Sequence, residues 1–256
     1  MDFQPIRTLV AKFTVIVTLH YFLFVPAQAA DPDLDLLASR LEFGGDIVEI
    51  VWLGEGSARA LALFEAPSKS PEQGVVIVML GVGQILERSE FSTSVRQTLS
   101  NAGWGVLIVQ TDKMLAGPSE PMDTDSAVSL MSQAKAHISS LGYTKIVVVA
   151  HGKIAQQLWP AIQAAPENTL GFVGIDEWTV DDFVPPIPVL NVVNTSLKVA
   201  TIFAEKRFSK VKKRPSAPCE TYFYDGPAGS DLGYGVLISR RIRGWVERHF
   251  NDKSAG

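Results

Sequence analysis

The sequence predicts a single α/β domain, in which helices cover both faces of a mostly parallel β-sheet. Three observations favour this fold class. Short apolar segments alternate with amphipathic ones after residue 45, which is the pattern of strands that alternate with helices. The segment 75–80 is apolar throughout and 145–150 carries four consecutive β-branched residues, as expected for buried parallel strands. The turn Gly54-Glu55-Gly56 joins the first two strands and predicts an opening β-hairpin.

The predicted elements follow in chain order. Side-chain periodicity and flanking turn residues place strands at 47–52, 58–64, 75–80, 105–110, 145–150, 171–175, 189–193 and 221–224. Amphipathic spacing places helices at 90–101, 125–141, 153–165 and 232–250. Thr124 or Asp125 is predicted to cap the second helix, and Gly142 to end it. Pro160 lies inside the third helix and predicts a kink there.

The N-terminal segment has the pattern of a signal peptide. Arg7 and Lys12 precede an apolar run at 13–25, which is shorter than the roughly 20 residues that a bilayer-spanning helix needs. Small residues then follow in Ala27-Gln28-Ala29, and they predict cleavage after Ala29. The expectation is a signal peptide at 1–29, one mature domain at 30–256, and export to the periplasm. The alternative is an uncleaved membrane anchor.

Charge and cysteine content limit the partners and the chemistry. The formal net charge is −4, and the basic cluster at 206–214 has the pattern of a solvated face, so no nucleic-acid partner is predicted. Cys219 is the only cysteine, which excludes a disulfide within the chain. The sequence has no Cys/His spacing for a metal site, and it predicts no cofactor.

The segment Ala150-His151-Gly152-Lys153-Ile154 lies where a predicted strand turns into a helix. In the G-x-S-x-G motif, such a turn exposes a nucleophilic serine above the sheet. Here the serine position is Gly152 and the last glycine position is Ile154. Because glycine has no side chain, it excludes acyl-enzyme chemistry at this position. The turn itself is favoured, since glycine adopts a positive φ at little cost.

The positions that would complete such a catalytic site also lack reactive side chains. Leu80 stands where an H-G-x-G oxyanion loop has its histidine, although Gly81 and Gly83 remain. Asn191 stands where a late strand would present an acid. No histidine lies between the last strand and the final helix, and His249 is near the end of that helix. The sequence therefore predicts no catalytic residue.

Several segments carry a resemblance to a known family. They are 48–52, 60–64, 74–83, 101–110, 145–152, 188–193 and the most specific one, Arg240-Arg-Ile-Arg-Gly-Trp245. On these segments the chain resembles an α/β-hydrolase-like family of exported bacterial proteins of unknown function. The resemblance covers nearly all of residues 45–250. It implies the α/β-hydrolase fold and no particular reaction, because the family has no established activity.

A candidate pocket lies at the turn between strand and helix. Its predicted residues are Gly81, Val82, Gly83, His151, Gly152, Lys153, Asp176, Glu177 and Trp178. Lys153 either meets an anionic ligand at the helix N-terminus or points to solvent. Asp176 or Glu177 could form an ion pair with Lys153 or His151, for structure or for function. Trp178 is either a ring on which a ligand stacks or a core residue.

Three functions are compatible with these observations. The first is a catalytically inactive hydrolase-like protein of the cell envelope, which binds a small anionic or acyl ligand or acts as a scaffold. The second is a hydrolase of small acyl or ester substrates, in which His151 and Asp176 would activate water. The third is a structural protein that binds an envelope partner through its C-terminal helix, where Arg240 and Arg243 share a face.

Overall fold

The structure is a computed structural model. It describes residues 32–43, 48–55, 59–69, 72–81, 84–86, 89–111, 122–176, 178, 185–211, 218–226 and 233–251. The predicted signal segment at 1–29 and its cleavage site lie outside these residues, so both stay predictions. Among the described helices, none is long and apolar enough to cross a bilayer.

A single sheet forms the centre of the described chain. Its strands are β1 (Glu49–Leu53), β2 (Ala60–Glu65), β3 (Gly74–Met79), β4 (Trp104–Val109), β5 (Ile146–His151), β6 (Gly171–Ile175), β7 (Val189–Asn194) and β8 (Cys219–Tyr224). Their spatial order is β1-β2-β4-β3-β5-β6-β7-β8. The strand β2 is antiparallel to β1 and β4, and the other neighbouring pairs are parallel. The predicted mostly parallel sheet is therefore confirmed.

The sheet begins with the predicted β-hairpin. In the pairing of β1 with β2, Glu49 lies opposite Phe64 and Leu53 lies opposite Ala60. Gly54 follows β1 with a φ of 83°, a conformation that glycine adopts without steric cost. The strands β3 and β4 are buried along their whole length, because helices cover both of their faces.

Helices pack on both faces of the sheet. They are α1 (Pro32–Phe43), α2 (Glu90–Ser100), α3 (Thr124–Ser140), α4 (Lys153–Ala164), α5 (Lys198–Val211) and α6 (Gly235–Phe250). On one face, Ile138 of α3 and Trp159 of α4 join a core cluster with Phe172. On the other face, α1, α2 and α6 bury a second cluster that includes Leu37 and Trp245. Each face of the sheet thus has its own core.

Some sequence predictions of the elements were wrong. The helices α1 and α5 were not predicted. The cap of α3 is Asp123, whose side chain accepts a hydrogen bond from the Ser126 backbone N–H at 2.8 Å, and neither Thr124 nor Asp125 has this role. The strand β5 extends to His151 and β7 to Asn194, beyond their predicted ends.

Candidate functional site

The candidate site lies where β3, β5 and β6 end. These three strands are adjacent and parallel, so their carboxyl ends meet at one edge of the sheet. Gly81 follows β3, His151 is the last residue of β5, and Asp176 follows β6. The crevice beyond the carboxyl ends of parallel strands is the usual ligand site of open α/β sheets. The sheet order therefore brings three of the predicted site residues together.

Gly152 forms a sharp turn between β5 and α4. Its φ is 62° and its ψ is −134°, a conformation that residues with a side chain rarely adopt. Its backbone N–H donates to the Ile175 carbonyl at 2.8 Å, which attaches the turn to β6. Within the part of the chain that the structure describes, a Cβ atom added to Gly152 would meet no heavy atom within 4 Å. The backbone of the turn therefore has a conformation that could present a nucleophilic side chain. The space that such a side chain would occupy is open.

The side chains of His151 and Asp176 form an ion pair across the ends of β5 and β6. His151 Nε2 lies 3.5 Å from Asp176 Oδ2, and the two side chains are 20% and 10% exposed. The distance is longer than a direct hydrogen bond between these atoms. The charge of this pair depends on the protonation of His151. Asp176 is one of the two predicted partners of His151, and the other, Glu177, lies outside the described residues.

Two donors fix the Asp176 carboxylate. The Tyr224 hydroxyl donates to both carboxylate oxygens, each at 3.0 Å, and the Asn194 backbone N–H donates to Oδ1 at 3.1 Å. Among the described residues, Asp176 is the one non-glycine residue with a positive φ, at 61°. Aspartate tolerates this conformation better than most residues, but strain of this kind often marks functional positions. Neither Tyr224 nor Asn194 was predicted as a site residue.

Gly81 leaves room for the His151 ring. A Cβ atom added to Gly81 would lie 2.7 Å from His151 Nδ1, closer than side-chain atoms pack in proteins. One edge of the imidazole therefore faces the backbone at Gly81, and the other faces Asp176. Both ring nitrogens point toward protein groups, which favours a structural role for His151 over catalysis.

A glutamine network supports the segment that follows β3, and sequence reasoning missed it. The Gly81 backbone N–H donates to Gln84 Oε1 at 3.3 Å. The buried Gln110 side chain donates to the Gln84 carbonyl at 2.9 Å and accepts from the Leu86 N–H at 3.0 Å. The signal in the sequence was a polar pair, Gln110-Thr111, directly after a buried apolar strand. Such buried polar groups require partners.

The other predicted pocket residues have different positions. Lys153 is exposed at the start of α4, in agreement with the solvent-facing alternative. Trp178 is 1% exposed, packs edge-on against Trp159 and Phe172, and therefore has no open face for ligand stacking. Val82, Gly83 and Glu177 lie outside the described residues. Whether all nine residues line one pocket stays a prediction.

The strand β7 contains two asparagines, one at the position where the sequence analysis looked for an acid and one at the end of the strand. Asn191 lies inside β7 and is fully buried, whereas Asn194 is the last residue of that strand. The Asn194 side-chain oxygen accepts hydrogen bonds from the Ser196 N–H and hydroxyl, at 3.0 and 2.9 Å. The last residue of β7 is therefore also an amide, and it supplies no carboxylate.

A buried arginine, Arg207, contacts Trp178. The guanidinium carbon of Arg207, a residue of α5, is 4.5 Å from the centroid of the Trp178 ring, and its Nη1 donates to the Trp178 carbonyl at 2.6 Å. Burial lowers the pKa of Arg207 to about 10. Burial also raises the pKa of the nearby Cys219 to about 11, although the charge of Arg207 acts in the opposite direction. Cys219 is thus a protonated thiol at neutral pH, which does not favour a nucleophilic role.

The surface of the C-terminal helix contains a groove of about 350 Å³ between α2 and α6. Its lining residues are Ser94, Gln97, Thr98, Asn101, Val236, Arg240 and Arg243. The two predicted arginines therefore share one groove. Arg243 also pairs with Glu247 at 2.8 Å, one turn along α6. None of its lining residues belongs to the candidate site at the Gly152 turn.

Comparison with known proteins identifies the fold. No protein-family model and no curated protein matches the chain in sequence. Est1E from Butyrivibrio proteoclasticus, also solved with ferulic acid bound, is 10% identical with a TM-score of 0.60, covering 78% of this chain and 98% of its own. A serine hydrolase without a lid from Xanthomonas campestris is 10% identical with a TM-score of 0.60, covering 80% of this chain and 96% of its own. Dienelactone hydrolase from Anabaena variabilis is 13% identical with a TM-score of 0.58, covering 80% and 98%. At these identities the likeness concerns the fold alone, and this chain has the α/β-hydrolase fold.

Proposed function

We propose that this protein is a hydrolase-fold protein without serine-hydrolase activity, which binds a small carboxylate above the Gly152 turn. One observation carries the proposal. Gly152 has the backbone geometry of a turn that presents a side chain above the sheet, with a φ of 62°, yet it has no side chain and its surroundings are open. The turn is kept and the nucleophile is missing, which supports binding over acyl transfer.

The start of α4 supports an anionic ligand. The first N–H groups of a helix have no partner within the helix, and together with the helix dipole they favour negative charge. No side chain caps α4, and the Gly152 N–H is already bonded to Ile175. The N–H groups of Lys153 and Ile154 are therefore the donors proposed to face a carboxylate in the open space. Ferulic acid, bound by the structurally similar Est1E, also carries a carboxyl group.

The test combines an activity assay with a binding assay on the same protein. We expect no labelling by a fluorophosphonate probe and no turnover of short-chain esters. We also expect butyrate to shift the backbone amide NMR signals of Lys153 and Ile154, and to leave those at the start of α2, which Ser89 caps, unchanged. Turnover sensitive to fluorophosphonate would overturn the inactive part of the proposal. Unchanged signals at α4 in the presence of butyrate would overturn the binding part.

A second candidate function is hydrolysis through water activated by His151 and Asp176. The 3.5 Å approach of His151 Nε2 to Asp176 favours it, because a carboxylate beside an imidazole can orient a general base. The contact of His151 with Gly81 weighs against it, since the second ring nitrogen has little room for water. An ester-hydrolysis activity resistant to fluorophosphonate and abolished by Asp176→Asn would support this candidate over the first.

The location in the cell envelope is part of the proposal and depends on the N-terminal sequence. The basic residues, the apolar run and the small residues before Ala30 support export with cleavage after Ala29. N-terminal sequencing of the protein from a periplasmic extract tests this point. We expect the first residue to be Ala30, and a protein that keeps Met1 would favour an anchor instead.

A further inference from the structure

The helix α5 has two apolar sides, and the sheet covers one of them. On the inner side, Ala200 and Ala204 pack against Val193 of β7. On the outer side, Val199, Ile202 and Phe203 follow the spacing i, i+3, i+4, which places them in one row along the helix. This row is called the outer stripe. A helix that shows an apolar row away from its own core is expected to have a second apolar environment.

The outer stripe is strongly exposed. Val199 is 60% exposed and Ile202 is 51% exposed, and no other large apolar side chain among the described residues is as exposed as Val199. Phe203 is half-buried at the edge of the stripe. The two most exposed residues are one helical turn apart, so their side chains form a continuous apolar surface.

Basic residues surround the outer stripe. Lys198 and Lys206 are exposed, and the Lys206 ammonium lies 5.0 Å from the centroid of the Phe203 ring. The sequence from 198 to 214 contains seven basic residues and one acidic residue, although the chain as a whole has a formal net charge of −4. One of the seven, Arg207, is buried against Trp178, whereas Lys198 and Lys206 are exposed and can contact a partner outside the domain. The partner of this surface is therefore expected to be apolar and anionic.

We propose that the outer stripe docks on the surface of an anionic lipid bilayer. Val199 and Ile202 would enter the boundary between headgroups and acyl chains, while the lysines contact lipid phosphates. A lysine suits this position because its apolar stem can lie along the stripe while its ammonium reaches the headgroups. In the alternative in which the apolar run at 13–25 is kept as an anchor, it would also hold this chain at a membrane.

Charge favours a bilayer over a second copy of this chain. In a symmetric dimer built on the outer stripe, each lysine-rich surface would face an identical one. Like charges placed opposite each other across an interface oppose association. An anionic bilayer supplies the opposite charge and an apolar layer at the same time. This inference does not depend on the function proposed for the Gly152 turn.

The test uses a fluorescent label that reports whether α5 touches lipid. A nitrobenzoxadiazole group is attached to Ser209→Cys in a full chain that also carries Cys219→Ser. Ser209 is exposed and lies two turns after Ile202 on the same side of α5. The control is the same label at Ser39→Cys, which is exposed on α1. We expect a blue shift at Ser209 with vesicles of phosphatidylcholine and phosphatidylglycerol, and a much smaller one with phosphatidylcholine alone.

Variants then separate the contributions of the stripe and of its charges. The double change Val199→Ser and Ile202→Ser should abolish the blue shift, whereas Leu36→Ser, at a residue that is also 51% exposed, should leave it intact. Each of Lys198→Gln and Lys206→Gln should weaken binding to the anionic vesicles roughly fivefold. Apart from Cys219, which every labelled chain replaces by serine, the replaced side chains are exposed, so these variants should fold, as circular dichroism can verify.

Several outcomes would overturn the proposal. One is the absence of a blue shift at Ser209 with anionic vesicles, and another is a shift of equal size at Ser39, which would indicate contact through the N-terminal segment. A shift that survives the double serine change would exclude the outer stripe. A blue shift at Ser209 that depends on protein concentration without vesicles would mean that a second copy covers the stripe.

Discussion

At the scale of single residues, Gly152 and Gly174 differ in what an added methyl group would meet. At Gly152 the space is open, and the cost of alanine is the positive φ, about 1–2 kcal/mol. At Gly174 an added Cβ would lie 2.3 Å from Cε3 of the buried Trp178, so the core must shift at a cost of about 3 kcal/mol or more. We expect Gly174→Ala to lower the free energy of unfolding, measured in urea, more than Gly152→Ala does.

The control for backbone strain is Gly142→Ala, where φ is 92° and no heavy atom lies within 4 Å of an added Cβ. It should resemble Gly152→Ala in its cost. If Gly152→Ala were instead as costly as Gly174→Ala, the space above the turn would be filled in solution, and the proposed ligand site would be too small.

Cys219 should be a slow nucleophile in the folded protein. Its pKa is about 11 and not the ordinary 9.0, because burial disfavours the thiolate. At neutral pH the thiolate fraction is then roughly a hundredfold smaller. We expect alkylation by iodoacetamide to be slower by about this factor than in urea, and to keep rising with pH beyond 9.0. A folded-state rate that levels off near the ordinary pKa would contradict this assignment.

At the scale of elements, Glu220 attaches the C-terminal helix to the edge strand β8. Its carboxylate lies 2.8 Å from Arg248 Nη2 and 2.9 Å from His249 Nε2, both on α6. Burial acts to raise the pKa of Glu220, but the hydrogen bond from His249 and the charge of Arg248 outweigh it, so the pKa lies below its ordinary 4.5. The ionised carboxylate is therefore the form that stabilises the attachment of α6.

A pH dependence of stability follows from this lowered pKa. The contribution of Glu220 is complete above the unfolded pKa and is lost as the pH falls through the folded pKa. We expect Glu220→Gln to lower the free energy of unfolding by about 1 kcal/mol at neutral pH, and to have no effect in acid below the folded pKa. Urea unfolding at both pH values measures this difference.

The matched control for this pair is Glu247→Gln, which loses only the contact with Arg243 within α6. Its effect should be smaller, about 0.3–0.5 kcal/mol, because an exposed pair one turn apart contributes little. An equal effect of the two changes would mean that Glu220 does not attach α6 to β8. A difference that persists in acid would mean that the carboxylate charge is not the cause.

The elements show which parts of the fold the sequence could predict. The strands β3 and β5 were predicted to within one residue at each end, because a continuous apolar or β-branched run has few alternatives. The helix α5 was not predicted because it is apolar on two sides. Its apolar residues therefore do not follow the one-sided helical spacing that indicates an amphipathic helix. In α1, Leu34 and Leu37 are buried at helical spacing, a signal that was present and not used. Ends of elements depend on local capping contacts and were the least accurate.

At the scale of the whole molecule, the candidate site depends on the order of the strands. The prediction that residues after β3, β5 and β6 belong together followed from the α/β pattern. The contact of Tyr224 with Asp176 could not be predicted, since it joins residues 48 positions apart through β6, β7 and β8. The approach of Gly81 to the His151 ring is a packing detail of the same kind. Sequence patterns identified the edge of the sheet, and the spatial order of the strands determined the contacts.

The spatial order of the strands also determines what surrounds position 152. We predict from these surroundings that a serine placed there will not be catalytic. Gly152→Ser should fold, because an added Cβ atom meets no heavy atom of the described residues within 4 Å, and it should lose about 1–2 kcal/mol to the positive φ. A serine needs a base to activate it, and the chain has four histidines. His151 lies between Asp176 and Gly81, and His249 pairs with Glu220 of the edge strand β8. We therefore expect no fluorophosphonate labelling and no ester turnover.

Gly142→Ser, at a turn with a φ of 92° and the same open surroundings, is the control for labelling of an exposed serine. Labelling of Gly152→Ser but not of Gly142→Ser would mean that a base reaches the Gly152 turn. The absence of serine-hydrolase activity would then be due to glycine at this one position, in an otherwise intact site. If the fluorophosphonate probe labels neither variant and butyrate still binds to the unmodified protein, the whole catalytic apparatus is absent while the turn remains a binding site. The second result is the one that the positions of His151 and Asn194 favour, because the His151 ring lies between Asp176 and Gly81, and the end of β7 supplies only an amide.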